Sequence, residues 1–118
     1  MKTRILCALL IIGVSGSVCA EMTVSQYKAI KDKPQVLAYV QILEQGFGWA
    51  NAALLQEKKE PLYCQPSKVS LKSEDLVYII DREIDVIEKG GKLKSPIEAM
   101  AIAGILLKGL RKQFPRQK

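Results

Sequence analysis

Histidine does not occur among the 118 residues. Its absence removes the usual base for activating a serine or cysteine nucleophile. Cysteine is almost as scarce, with Cys7, Cys19 and Cys64 the only three. One thiol in the folded part and no imidazole leave no ordinary zinc set. No glycine-rich phosphate loop is present. There is also no internal repeat, no low-complexity tract, and no stretch that alternates with the period of a strand. Aromatic residues are few, at 6 %, and none interleaves with the scattered basic residues as a nucleic-acid surface requires. These gaps imply no catalytic residues, no metal and no cofactor. A catalyst built from this chain would have to work with carboxylates alone or with a lysine.

The N-terminus has the three parts of a secretory signal. Lys2 and Arg4 are its positive region, and Ile5 to Val14 is an apolar run too short to span a bilayer. Val18-Cys19-Ala20 then offers a cleavage site, with the cut between Ala20 and Glu21. The rival readings are a lipoprotein signal acylated at Cys19, which Val18 argues against, and an uncleaved anchor. The expected organisation is a signal peptide over 1–20 and a single domain over 21–118, placed in the periplasm. Cleavage removes Cys7, Cys19 and two of the eighteen basic residues but none of the twelve acidic ones, lowering the formal charge from +6 to +4. Cys64 is then the sole thiol of a small secreted domain. Stability must come from helix packing, helped by oligomerisation.

The rest of the chain reads as all-α, a small bundle of one short and three longer helices. Thr23-Val24-Ser25-Gln26 is a capping box that opens a short helix to about Lys31. Pro34 suits the first turn of a long helix reaching about Lys58. Its apolar stripe is Val36, Val40, Leu43, Phe47, Ala50 and Leu54, widened by Tyr39, Ile42, Trp49 and Ala53. Pro61 and Pro66 make 59–72 a loop. Ser73, followed by Glu74 and Asp75, caps a third helix whose apolar face is Leu76, Ile79, Ile80, Ile84 and Ile87, and Gly90-Gly91 stops it. Ser95-Pro96-Ile97-Glu98 predicts the start of a last helix running to about Phe114. That helix is apolar over more than one stripe, which implies a central helix or one whose second face is buried in a homodimer.

Three features have both a functional and a plain reading. Asp81, Asp85 and Glu88 share a helical face beside Glu83. They suit a cation patch or an acid–base pair, or simply a solvated face with surface ion pairs around Asp81-Arg82-Glu83. Cys64 reads as a buried small hydrophobe, an intermolecular disulfide, or least readily a reactive thiol. Gly46, Phe47, Gly48, Trp49 and Asn51 suggest close helix–helix approach with the aromatics as core anchors, or else a shallow partner-binding groove. Asn51 needs a backbone partner if buried.

Several of these segments together carry a resemblance. Tyr39-Val40-Gln41, Gly46 through Ala52, Pro61-Leu62-Tyr63-Cys64-Gln65-Pro66, Leu106-Leu107-Lys108-Gly109-Leu110 and Phe114-Pro115 resemble the Rap/Tai family of type VI secretion amidase-immunity proteins. The likeness spans roughly 24 to 115. It implies a non-enzymatic periplasmic protein, typically a homodimer, that blocks a cell-wall amidase by inserting a loop into its cleft. By analogy that loop is Leu62, Tyr63, Cys64, Gln65 and Lys68, with Tyr63 and Gln65 occupying the cleft and Lys68 orienting the enzyme. One position departs from the pattern. Arg116 stands where family members often carry a second cysteine, so Cys64 has no such partner here. The alternative function is a periplasmic structural or chaperone-like protein that holds clients on the apolar last helix.

Overall fold

The computed structural model describes residues 21–91 and 96–116. The expected signal peptide and cleavage site and the expected Ser95 cap lie outside them. The described residues form four α-helices, α1 (Val24–Ile30), α2 (Pro34–Gln56), α3 (Ser73–Gly90) and α4 (Ile102–Gln113), with a 3-10 turn at Ile97–Ala99. No strand occurs among them, and the all-α bundle of one short and three longer helices is what the chain adopts.

The helix starts follow local chemistry. Thr23 caps α1 reciprocally: its Oγ1 accepts from the Gln26 N–H at 3.3 Å, and Gln26 Oε1 accepts from the Thr23 N–H at 2.9 Å. Pro34 opens α2 with its ring-fixed φ. Ser73, expected as the cap of α3, is its first helical residue instead. The boundary is Lys72, whose N–H donates to Asp75 Oδ2 at 2.8 Å, and this frees Ser73 Oγ to donate to Gln41 of α2 at 2.8 Å. Gly91 ends α3 at φ 61°, where a residue with a Cβ is strained.

The last helix begins later than expected. Pro96 opens only one 3-10 turn, and Met100 and Ala101 are extended before α4 starts at Ile102. A cross-link to the N-terminus causes this. The Val24 N–H donates to Met100 O and the Ile102 N–H to Met22 O, both at 2.9 Å, in an isolated antiparallel bridge of Thr23 with Ala101. Backbone pairing at 100–102 displaces the helical hydrogen bonds that the capping signal at 95–98 would start.

The core lies where α3 and α4 pack together, covered by α1 and the first half of α2. Leu76, Ile79, Ile80, Ile84 and Ile87 face Ile102, Ile105, Leu106 and Leu110, with Val24, Tyr27, Val36 and Val40 above them. At Gly109 the two helices approach so closely that an added Cβ would collide with Ile79 Cγ2 and lie 3.0 Å from Glu83 Cγ. Among the helices α4 packs chiefly against α3 and turns Ile102, Ile105, Leu106 and Leu110 into that contact, so the central helix is α3 and not the last one.

Glu83 departs from the surface reading of Asp81-Arg82-Glu83: its side chain is 1 % exposed. It sits on the α4 side of α3, where Lys112 Nζ stands 2.9 Å from Oε1 and Arg82 Nε 3.9 Å from Oε2. The Lys112 contact is ionic in kind, because its angle is not that of a hydrogen bond.

Candidate functional site

The second half of α2 rises clear of the core. Val36 and Val40 are buried and Leu43 and Phe47 partly so, but Ala50 and Ala53 are exposed. Trp49 is 78 % exposed and Ile42 65 %. Gly46 and Gly48 have no neighbour within 4 Å of where a Cβ would stand. The expectation that these glycines admit another helix of the same chain, with Trp49 as a core anchor, is overturned. The apolar stripe is wider than the bundle can cover, so only its inner part is buried. What remains is the other reading, an open surface.

Against one flank of this half-helix lies the loop between Gln56 and Ser73. Asn51 holds it: Oδ1 accepts from the Leu62 N–H at 2.6 Å, and Nδ2 donates to Tyr63 O at 3.4 Å. This is the backbone partner that a half-buried asparagine requires. From the other side Arg111 Nε donates to Leu62 O at 3.2 Å, and the Cys64 N–H donates to Phe114 O at 3.0 Å. Arg116 Nη1 meets Glu60 Oε2 at 3.3 Å. Further on, Gln65 Nε2 donates to Val69 O at 2.8 Å and folds the loop on itself. At the position where the resemblance leads one to expect a cysteine, an ion pair ties the chain end to the loop.

Between loop and helix runs a groove of about 380 Å³, lined by Glu44, Gly48, Asn51, Leu55, Tyr63 and Gln65 among others. Leu62, Cys64 and Gln65 are half-buried around it, and Lys68 is exposed. Tyr63 corrects the expected role of an aromatic that enters a partner's cleft. It is 3 % exposed, and its ring packs 6.5 Å from that of Phe114. Burial, with a smaller contribution from the Glu44 charge, pushes its phenol up to about 12. Tyr63 therefore anchors the loop, Gln65 lines the groove while bracing the loop through Val69, and Lys68 is exposed.

A second cleft, of about 240 Å³, lies between α1 and α3 and contains the acidic face. Tyr27 Oη donates to Asp81 Oδ1 at 2.7 Å, Lys28 pairs with Glu88 at 2.7 Å, and Lys89 with Asp85 at 2.9 Å. Burial, then the Asp81 hydrogen bond and charge, raise the Tyr27 phenol well above its ordinary range, so it stays a donor. The three carboxylates each have a partner, and Glu83 points away from them. Among the described residues no group of three or more metal-ligating side chains is placed to hold an ion.

No described helix is long and apolar enough to cross a membrane. No family model, curated protein or solved structure matches the chain.

Proposed function

We propose that the domain is a periplasmic inhibitor of the amidase-immunity type, which occludes a type VI secreted cell-wall amidase without catalysing a reaction. The observation that supports this most is the braced loop between α2 and α3. A connection of this length without secondary structure ordinarily moves and carries function where a scaffold positions it. Here Asn51, Arg111, Arg116 and the buried Tyr63 fix it before any partner arrives. Holding a segment in its binding shape reduces the ordering cost of association, as a cleft-blocking inhibitor requires. Cys64 and Gln65 line the groove beside the loop, and the exposed Lys68 adds a positive charge on the same loop. In this reading the protein acts as a homodimer, after export and cleavage at Ala20.

Inhibition of peptidoglycan hydrolysis by a secreted amidase tests the reading. The mature protein is expected to inhibit, and a Gln65→Ala, Lys68→Glu variant to lose inhibition while keeping its helical spectrum. Absence of inhibition and of binding would overturn it. The chaperone-like alternative is less well supported on α4, whose Ile102, Ile105, Leu106 and Leu110 are buried and whose Leu107 packs partly against the core. It would have to use Trp49, Ile42 and Leu55 of α2, and it predicts client binding without fixed stoichiometry.

A further inference from the structure

α2 carries a single charged residue, Glu44, in a chain that is 25 % charged. Glu44 lines the loop groove, is partly buried, and makes no ion pair or hydrogen bond with any described residue. The carboxylates between α1 and α3 differ, each having its lysine or tyrosine. A second group of the groove also lacks a partner. Tyr63 is 3 % exposed, yet its Oη makes no hydrogen bond with any described residue. The Glu44 charge helps to push up this phenol, so the two groups are neighbours. Gln65 adds a third: its Nε2 is engaged with Val69 O, and its Oε1 has no partner among the described residues. Leu55 and Pro61 supply apolar surface to the same groove. Gly48, one turn beyond Glu44, has nothing within 4 Å of its Cβ position and keeps the way in open.

We propose that this groove receives a basic side chain, an arginine, from the protein that the domain binds. A carboxylate drawn partly out of water without a cation has lost hydration that an ion pair would replace. The unpartnered groups are three sets of acceptor oxygens, one of them charged. A guanidinium has five donors and no acceptor, and its planar fork serves a carboxylate and further oxygens at once. It is also less strongly hydrated than an ammonium, and so enters a partly apolar groove more readily. Leu55 and Pro61 suit the methylene stem of such a side chain. The chain's own cations around the loop are engaged elsewhere: Lys59 with Glu57, Arg111 with Leu62 O, Arg116 with Glu60. The inference rests on the inhibitor reading for the kind of partner, and adds a contact in the opposite direction. The loop enters the partner's cleft, and the partner's arginine enters the groove beside the loop.

Amide NMR of the mature protein tests the site without any amidase. The probes are a Gly-Arg-Gly peptide with blocked ends and its citrulline counterpart, which keeps the shape and lacks the charge. The arginine peptide is expected to shift the Gly48 backbone amide and the Asn51 and Gln65 side-chain amides saturably. The citrulline peptide should bind roughly tenfold more weakly, and Glu44→Gln should weaken the arginine peptide by a similar factor. Tyr63→Phe removes one acceptor oxygen and should weaken it several-fold, with an unchanged helical spectrum in both variants. No saturable shift at the groove amides, equal binding of the two peptides, or binding that Glu44→Gln leaves unchanged would overturn the inference. Amidase inhibition separates the two claims. Glu44-dependent peptide binding with no amidase inhibited would leave the groove standing and sink the inhibitor reading, whereas inhibition without peptide binding would sink the groove inference alone.

Discussion

Gly109 shows how one residue sets the distance between two helices. No side chain fits between α4 and Ile79 there, and the nearest atoms include the Ile79 carbonyl at 3.7 Å as well as side chains. Gly109→Ala is expected to force α3 and α4 apart and cost about 1–3 kcal/mol despite its better helix propensity. Urea unfolding checks this, and a neutral or stabilising result would contradict the packing described. Asn51 has a comparable role in the loop. Asn51→Ala leaves the Leu62 N–H without its acceptor, at a cost of about 1–3 kcal/mol. Hydrogen exchange should show the Leu62 amide losing protection while the amides of α3 keep theirs. Equal loss in both would mean that Asn51 supports the whole fold and not the loop alone.

Among the elements, α1 and α3 were legible in the sequence because their signals are local. The Thr23–Gln26 box and the isoleucine spacing of 76–87 act within one or two turns. The start of α4 was not legible, because its cause is a hydrogen-bonded bridge to residues nearly eighty positions earlier. The exposure of the outer face of α2 was not legible for a related reason. Periodicity gives the width of an apolar stripe but not how much of it the other helices cover. Glu83 is the converse case: its charge suggested solvent, while α4 supplies Lys112 from the far end of the sequence. Of the loop, the sequence indicated its position and the need of Asn51 for a partner. It did not show that Tyr63 turns inward.

Burial of Tyr63 also has a pH signature. Its phenol titrates at about 12 in the fold, against about 10 in an unfolded chain. Below about pH 10 both states are protonated, and the contribution to stability is fully present. Between these values the unfolded chain loses its proton first, so stability falls as pH rises and the contribution is gone above the folded value. Urea midpoints should decline over this window for the wild type and less steeply for Tyr63→Phe. Equal declines would place the ring in solvent.

At the scale of the whole molecule, the described residues divide into a compact α1–α3–α4 core with the first half of α2, and a projecting second half of α2 that carries the loop. The loop groove runs along one face of that helix, and the exposed Ile42 and Trp49 stand on another. Under the proposed reading a homodimer presents two loops at once, and two sites on one scaffold raise the effective concentration of each at a target. In the proposed function the braced loop blocks an enzyme cleft. Titrating the mature protein into peptidoglycan hydrolysis by type VI secreted cell-wall amidases tests this most directly. Stoichiometric inhibition of at least one such enzyme is expected, abolished by Gln65→Ala, Lys68→Glu and retained by the surface variant Lys89→Ala. Undiminished hydrolysis by every amidase at saturating protein, or inhibition that the loop variant leaves intact, would contradict it.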